Sequence, residues 1–304
     1  MQLRRLDPLA NAGPYQKLMK LSVRSFTLTE AQYERIRSER PGLIVTEGEG
    51  AVIGFPYRDY LQIHYAFPDF ESFRGGFPDM FNQVAAASSK EEAPRGAILH
   101  FRDRPNRGLA ETVFWSVALD EGPEWVEMNH VSLPEQTEPG DALIEGFTVR
   151  EATDADLAAI GALDETNDLP PLSANGLLTM ARESKTGRLI VDSSGSAVGF
   201  FNLRSEPAGW GIIEAPVIRA DLRERLAGPV LRWAIAWLRA SGARRVRQMS
   251  LLDNNPSLGA LRDAGFMPGE TGLIYTRTVD AVELQAKLDD RKAHGTHIQF
   301  GNWR

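Results

Sequence analysis

The feature that most constrains this chain is an internal repeat. Leu43-Ile44-Val45 returns as Leu189-Ile190-Val191, an offset of 146 residues. Ala51 to Phe55 resembles Ala197 to Phe201 at almost the same offset, and the spacing stays between 145 and 149 along half the chain. A constant spacing of this kind predicts a duplicated fold. The alternative is two α/β domains whose strand patterns agree by chance.

The length fits two domains, because 304 residues exceed what one small core accommodates. A polar stretch with Pro and Gly, residues 134–146, has the composition of a linker. We therefore predict a first domain over 1–138, a second over 146–280, and a C-terminal helix and tail over 281–304.

Composition narrows the possible functions. The net charge of −7 disfavours a nucleic-acid partner, which usually meets a basic face. The absence of cysteine removes disulfides, thiol nucleophiles and cysteine-ligated zinc, and we expect no metal cofactor. No apolar run has the length of a signal peptide or a membrane span. We expect a cytoplasmic protein without a membrane partner.

The second half has the clearer secondary-structure pattern. Its predicted order is β-α-β-β-β-α-β-α-β, which mixes hairpins with one long crossover helix and indicates a mixed α/β sheet. Apolar positions 226, 230, 233, 234, 237 and 238 mark one face of the crossover helix. Pro229 fits the first turn of that helix, where a missing N–H costs nothing.

The segment before this helix carries the strongest chemical signal. Residues 219–228 are predicted as a loop with Arg223, Arg225 and Gly228, between a strand at 210–218 and the helix. A helix N-terminus attracts anions, and glycine lets a ligand approach the backbone closely. The segment suits a pyrophosphate. A solvated turn with no ligand is the alternative.

In the order and spacing of these residues the chain resembles the GNAT N-acetyltransferase superfamily over about 147–280. Arg223 and Gly228 match the ends of that family's Arg/Gln-x-x-Gly-x-Gly/Ala motif, Asn254 matches its later Asn, and Gly265-Phe266 closes the next helix. Two positions depart from the pattern. Leu226 replaces a loop glycine, and Leu261 replaces the tyrosine that often protonates the leaving thiolate.

The resemblance implies two tandem GNAT domains and direct acyl transfer from acetyl-CoA, or another acyl-CoA, as cosubstrate. By this analogy Glu214 is the candidate general base, and Tyr275 is a possible proton donor in place of Leu261. Glu214 could instead position substrate or pair with an arginine, and Tyr275 could be a packed strand aromatic. The residues implied to bind the cosubstrate are Val217, Ile218, Arg223, Arg225, Leu226, Ala227, Gly228 and Asn254.

The first half keeps this plan less well. Residues 60–67 are predicted as the strand before a shortened loop, Arg74 to Pro78, and Tyr65 falls opposite Glu214. We predict a degenerate, non-catalytic domain. Its phenylalanines form core packing, an interdomain face or a pocket.

The sequence therefore predicts an N-acyltransferase that acetylates the amine of a small molecule, acting as a monomer or homodimer. The main alternative is a non-catalytic acyl-CoA-binding or sensor protein, which Leu226 and Leu261 favour. A scaffold that binds no nucleotide is a third possibility.

Overall fold

The computed structural model describes residues 12–25, 28–57, 59–88, 93–102, 107–131, 139–163, 177–178, 186–206 and 209–298. They fall into two compact units. The first unit combines Met1–Gly122 with Ile274–Arg304, and the second is Pro123–Leu273.

Thirteen strands and eight helices are defined within the described ranges. The strands are β1 Val23–Arg24, β2 Ile44–Glu47, β3 Gly50–Tyr57, β4 Tyr60–Phe67, β5 Ala97–Arg102, β6 Asp120–Val131, β7 Ala142–Ile144, β8 Phe147–Glu151, β9 Gly187–Asp192, β10 Ala197–Glu206, β11 Trp210–Ile218, β12 Arg245–Leu251 and β13 Met267–Arg277. The helices are α1 Pro14–Leu18, α2 Glu30–Glu39, α3 Phe70–Ala87, α4 Arg107–Ser116, α5 Leu157–Gly161, α6 Arg223–Ala240, α7 Asn255–Asp263 and α8 Ala281–Ile298. No helix in these ranges is both long and apolar enough to span a membrane.

In the first unit, β2, β3 and β4 pair antiparallel, and α3 crosses over to β5, which pairs parallel with β4. The predicted loop from Arg74 to Pro78 is wrong, because these residues lie inside α3. Asp69 caps this helix by accepting the Ser72 N–H at 2.8 Å. Five apolar side chains at helical spacing are buried on one face of α3: Phe73, Phe77, Met80, Phe81 and Val84.

Aromatic side chains fill the core beside α3. The Tyr65 ring lies 4.9 Å from Phe73, 5.4 Å from Phe77 and 6.0 Å from Phe114, measured between centroids. All four side chains are buried. The phenylalanine cluster is therefore core packing. Tyr65 occupies the position on β4 that corresponds to Glu214 on β11 in the second repeat.

In the second unit the strands follow the order β6-β12-β11-β10-β9-β8-β7. Strands β11 and β12 are parallel and joined by α6, whereas the other neighbours are antiparallel. From β8 to β13 the elements follow the predicted order, with α5, α6 and α7 as the helices. The predicted mixed sheet is confirmed.

The compact units do not follow the order of the repeats. Strand β6 comes from the first repeat, but its residues from Pro123 onward belong to the second unit, where Trp125 pairs with Leu251 and Val131 with Arg245. Conversely, Ile274–Arg277 and α8 belong to the first unit. There Lys287 and Arg291 of α8 form ion pairs with Asp120. The predicted boundaries at 138 and 146 separate the two sequence repeats. The compact units differ from the repeats, because part of the last strand of each repeat lies in the other unit.

Candidate functional site

The site begins where β11 and β12 part. The two parallel strands pair from Trp210 with Arg245 to Ile212 with Arg247. Both continue further, β11 to Ile218 and β12 to Leu251, but the described register contains no later pair. Two parallel strands that separate in this way present backbone N–H and C=O groups to an extended ligand placed between them.

A β-bulge accompanies the separation. Phe200 faces Val217 and Asn202 faces Glu214, so two residues of β11 stand opposite one residue of β10. One of these two is Pro216, which has no N–H to donate. The side chains of Val217 and Ile218 are both buried. These two predicted cosubstrate residues can therefore meet a ligand through their backbone groups alone.

Helix α6 starts earlier than the sequence indicates. A short 3₁₀ turn, Ala220–Leu222, leads into α6 at Arg223, so most of the predicted 219–228 loop is helical. The expectation that Pro229 lies in the first turn is wrong, since it is the seventh residue of α6. The physical reason is the apolar face, because Leu222 packs on the same core as buried Leu226 and Val230.

The N-terminus of α6 presents the positive end of a helix dipole. Its N-cap, Leu222, makes no side-chain capping bond, and the Arg223 N–H donates to the Ala220 carbonyl of the preceding 3₁₀ turn. The dipole favours an anion such as a phosphate at this end of the helix. A Cβ added at Gly228 would meet only the Arg232 Nη1, at 3.4 Å. Packing within the described protein does not require glycine there.

The other predicted residues of this segment point in different directions. Arg223 is partly exposed at the first helical position. Arg225 turns toward β8, where its guanidinium stacks 4.9 Å from Phe147 and donates to the Glu145 carbonyl. Leu226 is completely buried in the core, and Ala227 packs against it. Only the backbone of Leu226 can contact a ligand.

Asn254 caps α7 through its side-chain oxygen, and its side-chain nitrogen is an unused donor among the described residues. Its Oδ1 accepts the Ser257 N–H at 3.4 Å, which is a long bond. Its Nδ2 is buried and has no hydrogen-bond partner in the described part of the chain. A buried donor without a partner costs about 1–3 kcal/mol, so this amide is suited to a ligand oxygen.

The two predicted catalytic residues belong to different compact units. Tyr275 lies in the first unit and Glu214 in the second. Only 2% of Tyr275 is exposed; its hydroxyl donates to Glu111 at 3.3 Å, and its ring lies 4.9 Å from Phe114. These contacts are those of a packed strand aromatic. Leu261, at the family's tyrosine position, is fully buried in the core of the second unit.

The carboxylate of Glu214 is held by its neighbour strand. Its Oε2 accepts from Asn202 Nδ2 at 2.8 Å, and its Oε1 accepts from Arg204 Nε at 3.2 Å. The Arg204 Nη2 also approaches Oε1, at 3.1 Å, and the Glu214 side chain is only 12% exposed. The arginine pair that the sequence left as an alternative is therefore present.

A chain of alternating charges extends from Glu214 across the same face of the sheet. Arg204 also contacts Glu206 at 2.5 Å, and Arg247 bridges Glu206 at 2.7 Å and Glu127 at 3.7 Å. Sequence reasoning missed these residues. The available signal was the alternation of Asn202, Arg204 and Glu206 along β10, which places three polar side chains on one face of a strand.

In comparisons with known proteins, no family model and no curated protein matches the chain. Solved structures do match it. A GCN5-related N-acetyltransferase from Sphaerobacter thermophilus is 18% identical, has a TM-score of 0.50, and the match covers 75% of this chain and 76% of that one. A functionally unknown conserved protein from Staphylococcus epidermidis is 10% identical, with a TM-score of 0.51 and coverage of 80% and 98%. A tandem GNAT protein from the clavulanic acid biosynthesis pathway is 14% identical, with a TM-score of 0.48 and coverage of 77% and 81%.

At these identities the likeness concerns the fold. The chain has the fold of the GCN5-related N-acetyltransferases, and the predicted fold class is confirmed. Among the described residues, no group of three or more His, Asp and Glu is placed to hold a metal ion.

Proposed function

We propose that this protein is an N-acyltransferase whose second unit transfers an acetyl or other acyl group from acyl-CoA to the amine of a small molecule. The observation that carries the proposal is the opening between β11 and β12, with Glu214 on one of its edges and the α6 N-terminus beyond it. The first unit is, on this proposal, a degenerate copy that lacks the carboxylate.

The residues around the opening fit an acyl-CoA cosubstrate. The positive end of the α6 dipole suits its pyrophosphate, together with Arg223 and the open surface at Gly228. The backbone of Val217 and Ile218 suits the amide-bearing arm, which can bond as an extended strand does. The buried Asn254 Nδ2 supplies one further hydrogen-bond donor to the cosubstrate.

The proposed chemistry needs a proton acceptor for the amine. Acyl-CoA supplies an activated acyl carbon and a thiol leaving group. The amine nitrogen forms the new C–N bond, the C–S bond breaks, and one proton leaves the nitrogen. Glu214 is the proposed acceptor of that proton, directly or through water, because it is a fixed carboxylate beside the opening.

Glu214→Gln tests the catalytic part of the proposal. The substitution keeps the shape of the side chain but removes its basicity, so kcat falls about 10²–10⁴-fold while acetyl-CoA binding is kept. The assay is thiol release from acetyl-CoA with a panel of small amines, alongside calorimetric binding. Glu71→Gln, on an exposed turn of α3 in the first unit, is the matched control and leaves turnover unchanged.

The same assays separate the competing function. An acyl-CoA sensor binds acetyl-CoA tightly and releases no thiol with any amine, a result that Leu261 at the family's donor position favours. A scaffold that binds no nucleotide shows no stabilisation by acetyl-CoA. We further propose a small-molecule partner, a cytoplasmic location and a monomer or homodimer, with no nucleic-acid or membrane partner.

A further inference from the structure

A buried amide connects Glu214 to the strand beside it. Asn202 lies on β10 directly opposite Glu214 in the register and is only 5% exposed. Its Oδ1 accepts from the Thr186 hydroxyl at 3.0 Å, and its Nδ2 donates to Glu214 Oε2 at 2.8 Å. A carboxylate can only accept, so the amide nitrogen must be the group that faces Glu214.

Packing alone gives no reason for asparagine at this position. Its neighbours along β10, Phe200, Phe201 and Leu203, are completely buried, and asparagine is disfavoured inside strands. A buried amide is tolerated when its donors and acceptors are satisfied. Here Thr186 and Glu214 provide the matching partners on either side of Asn202.

Arg204 completes the arrangement from the same strand. It contacts Oε1 of Glu214, while Asn202 contacts Oε2, so both carboxylate oxygens are fixed by residues two apart on β10. Two attachment points define the plane of a carboxylate as well as its position. Fixing a reacting group in this way lowers the entropic part of a reaction barrier.

We infer that Asn202 is a positioning residue for acyl transfer: it holds the Glu214 carboxylate in a fixed orientation, and Thr186 in turn holds the amide. The inference rests on the proposed function. Asn202 acts through Glu214, so its loss affects turnover and the pH dependence of turnover and leaves acetyl-CoA affinity intact.

Three variants test this role. Asn202→Leu removes the donor at similar volume and lowers kcat about tenfold or more, since bonds to charged groups are the stronger ones. Asn202→Asp, which is nearly isosteric, sets a second carboxylate against the first and moves the acidic limb of the kcat/KM profile up by about one pH unit. Thr186→Val changes kcat in the same direction as Asn202→Leu but less. Acetyl-CoA affinity stays within about twofold of wild type in all three.

The pH profile decides between positioning and mere packing. If Asn202→Asp melts at a lower temperature but keeps the wild-type pH profile, the inference is overturned. If the wild type turns over no amine at all, the proposed function fails, and the ¹H–¹⁵N resonances of the Asn202 side-chain amide then test the contact itself. A change in those resonances on Glu214→Gln supports the contact, and no change overturns the inference.

Discussion

Replacing Gly228 by Ala separates the stability of α6 from its proposed role as an anion site. The residue lies in the second turn, outside the left-handed region of φ, and a new Cβ meets only the flexible end of Arg232. Glycine inside a helix costs about 0.5–1 kcal/mol relative to alanine. The ligand-free variant is therefore more stable than the wild type by about that amount.

Acetyl-CoA reverses this order if phosphates approach the backbone at Gly228. The added methyl group takes up that surface, and we expect the Kd to rise about tenfold, or about 1.4 kcal/mol. At 100 times the wild-type Kd, acetyl-CoA stabilises the wild type by about 2.7 kcal/mol and the variant by only about 1.4 kcal/mol. The variant is then the less stable protein.

Urea unfolding with and without acetyl-CoA measures both effects, and calorimetry gives the Kd directly. Gly75→Ala is the matched control, because Gly75 lies inside α3 with open space around its missing Cβ. It gains the same helix stability without a change in Kd. If Gly228→Ala binds acetyl-CoA as tightly as the wild type, no phosphate approaches this part of α6.

Two further predictions concern the first unit. Burial lowers the pKa of His64 from 6.5 to about 3, so the unfolded state binds the extra proton as pH falls below 6.5. For this reason we expect the free energy of unfolding to fall by about 2 kcal/mol between pH 7 and pH 5. Urea unfolding at the two pH values should show a smaller fall for His64→Gln. An equal fall in the variant would mean that His64 is not the group responsible. Tyr275→Phe should keep turnover and lose about 1 kcal/mol of stability, because its hydroxyl bonds to Glu111 in a packed core. A hundredfold fall in kcat would instead make it a proton donor.

Strands with strong apolar patterns were predictable from the sequence. Both 60–67 and 210–218 were predicted with the bounds that β4 and β11 have. Runs of this kind define their own limits, because turn residues flank a short apolar segment.

The two errors share a cause. Gly and Pro were interpreted as loop signals at 74–78, and Gly228 was interpreted as the end of a loop with Pro229 as the start of the helix, yet both segments lie inside helices. Burial of an apolar face stabilises a helix by more than one glycine or proline costs, so tertiary packing overrode the local signal in α3 and α6.

The surroundings of Glu214 could not be predicted in the same way. The resemblance indicated the residue, but its partners depend on which strands pair and in what register. Asn202 reaches Glu214 only because β10 and β11 are antiparallel neighbours with a bulge beside that pair. A one-residue change of register would turn Asn202 to the other face.

The exchange of end segments makes each unit depend on residues from both repeats. A chain cut in the linker leaves β12 without its partner β6 and deprives the first unit of Ile274–Arg277 and α8. An unpaired strand edge invites aggregation. We therefore expect neither repeat, 1–138 or 146–280, to fold stably when it is produced alone. The second unit needs the first part of the chain for strand β6, whether or not that part binds a ligand.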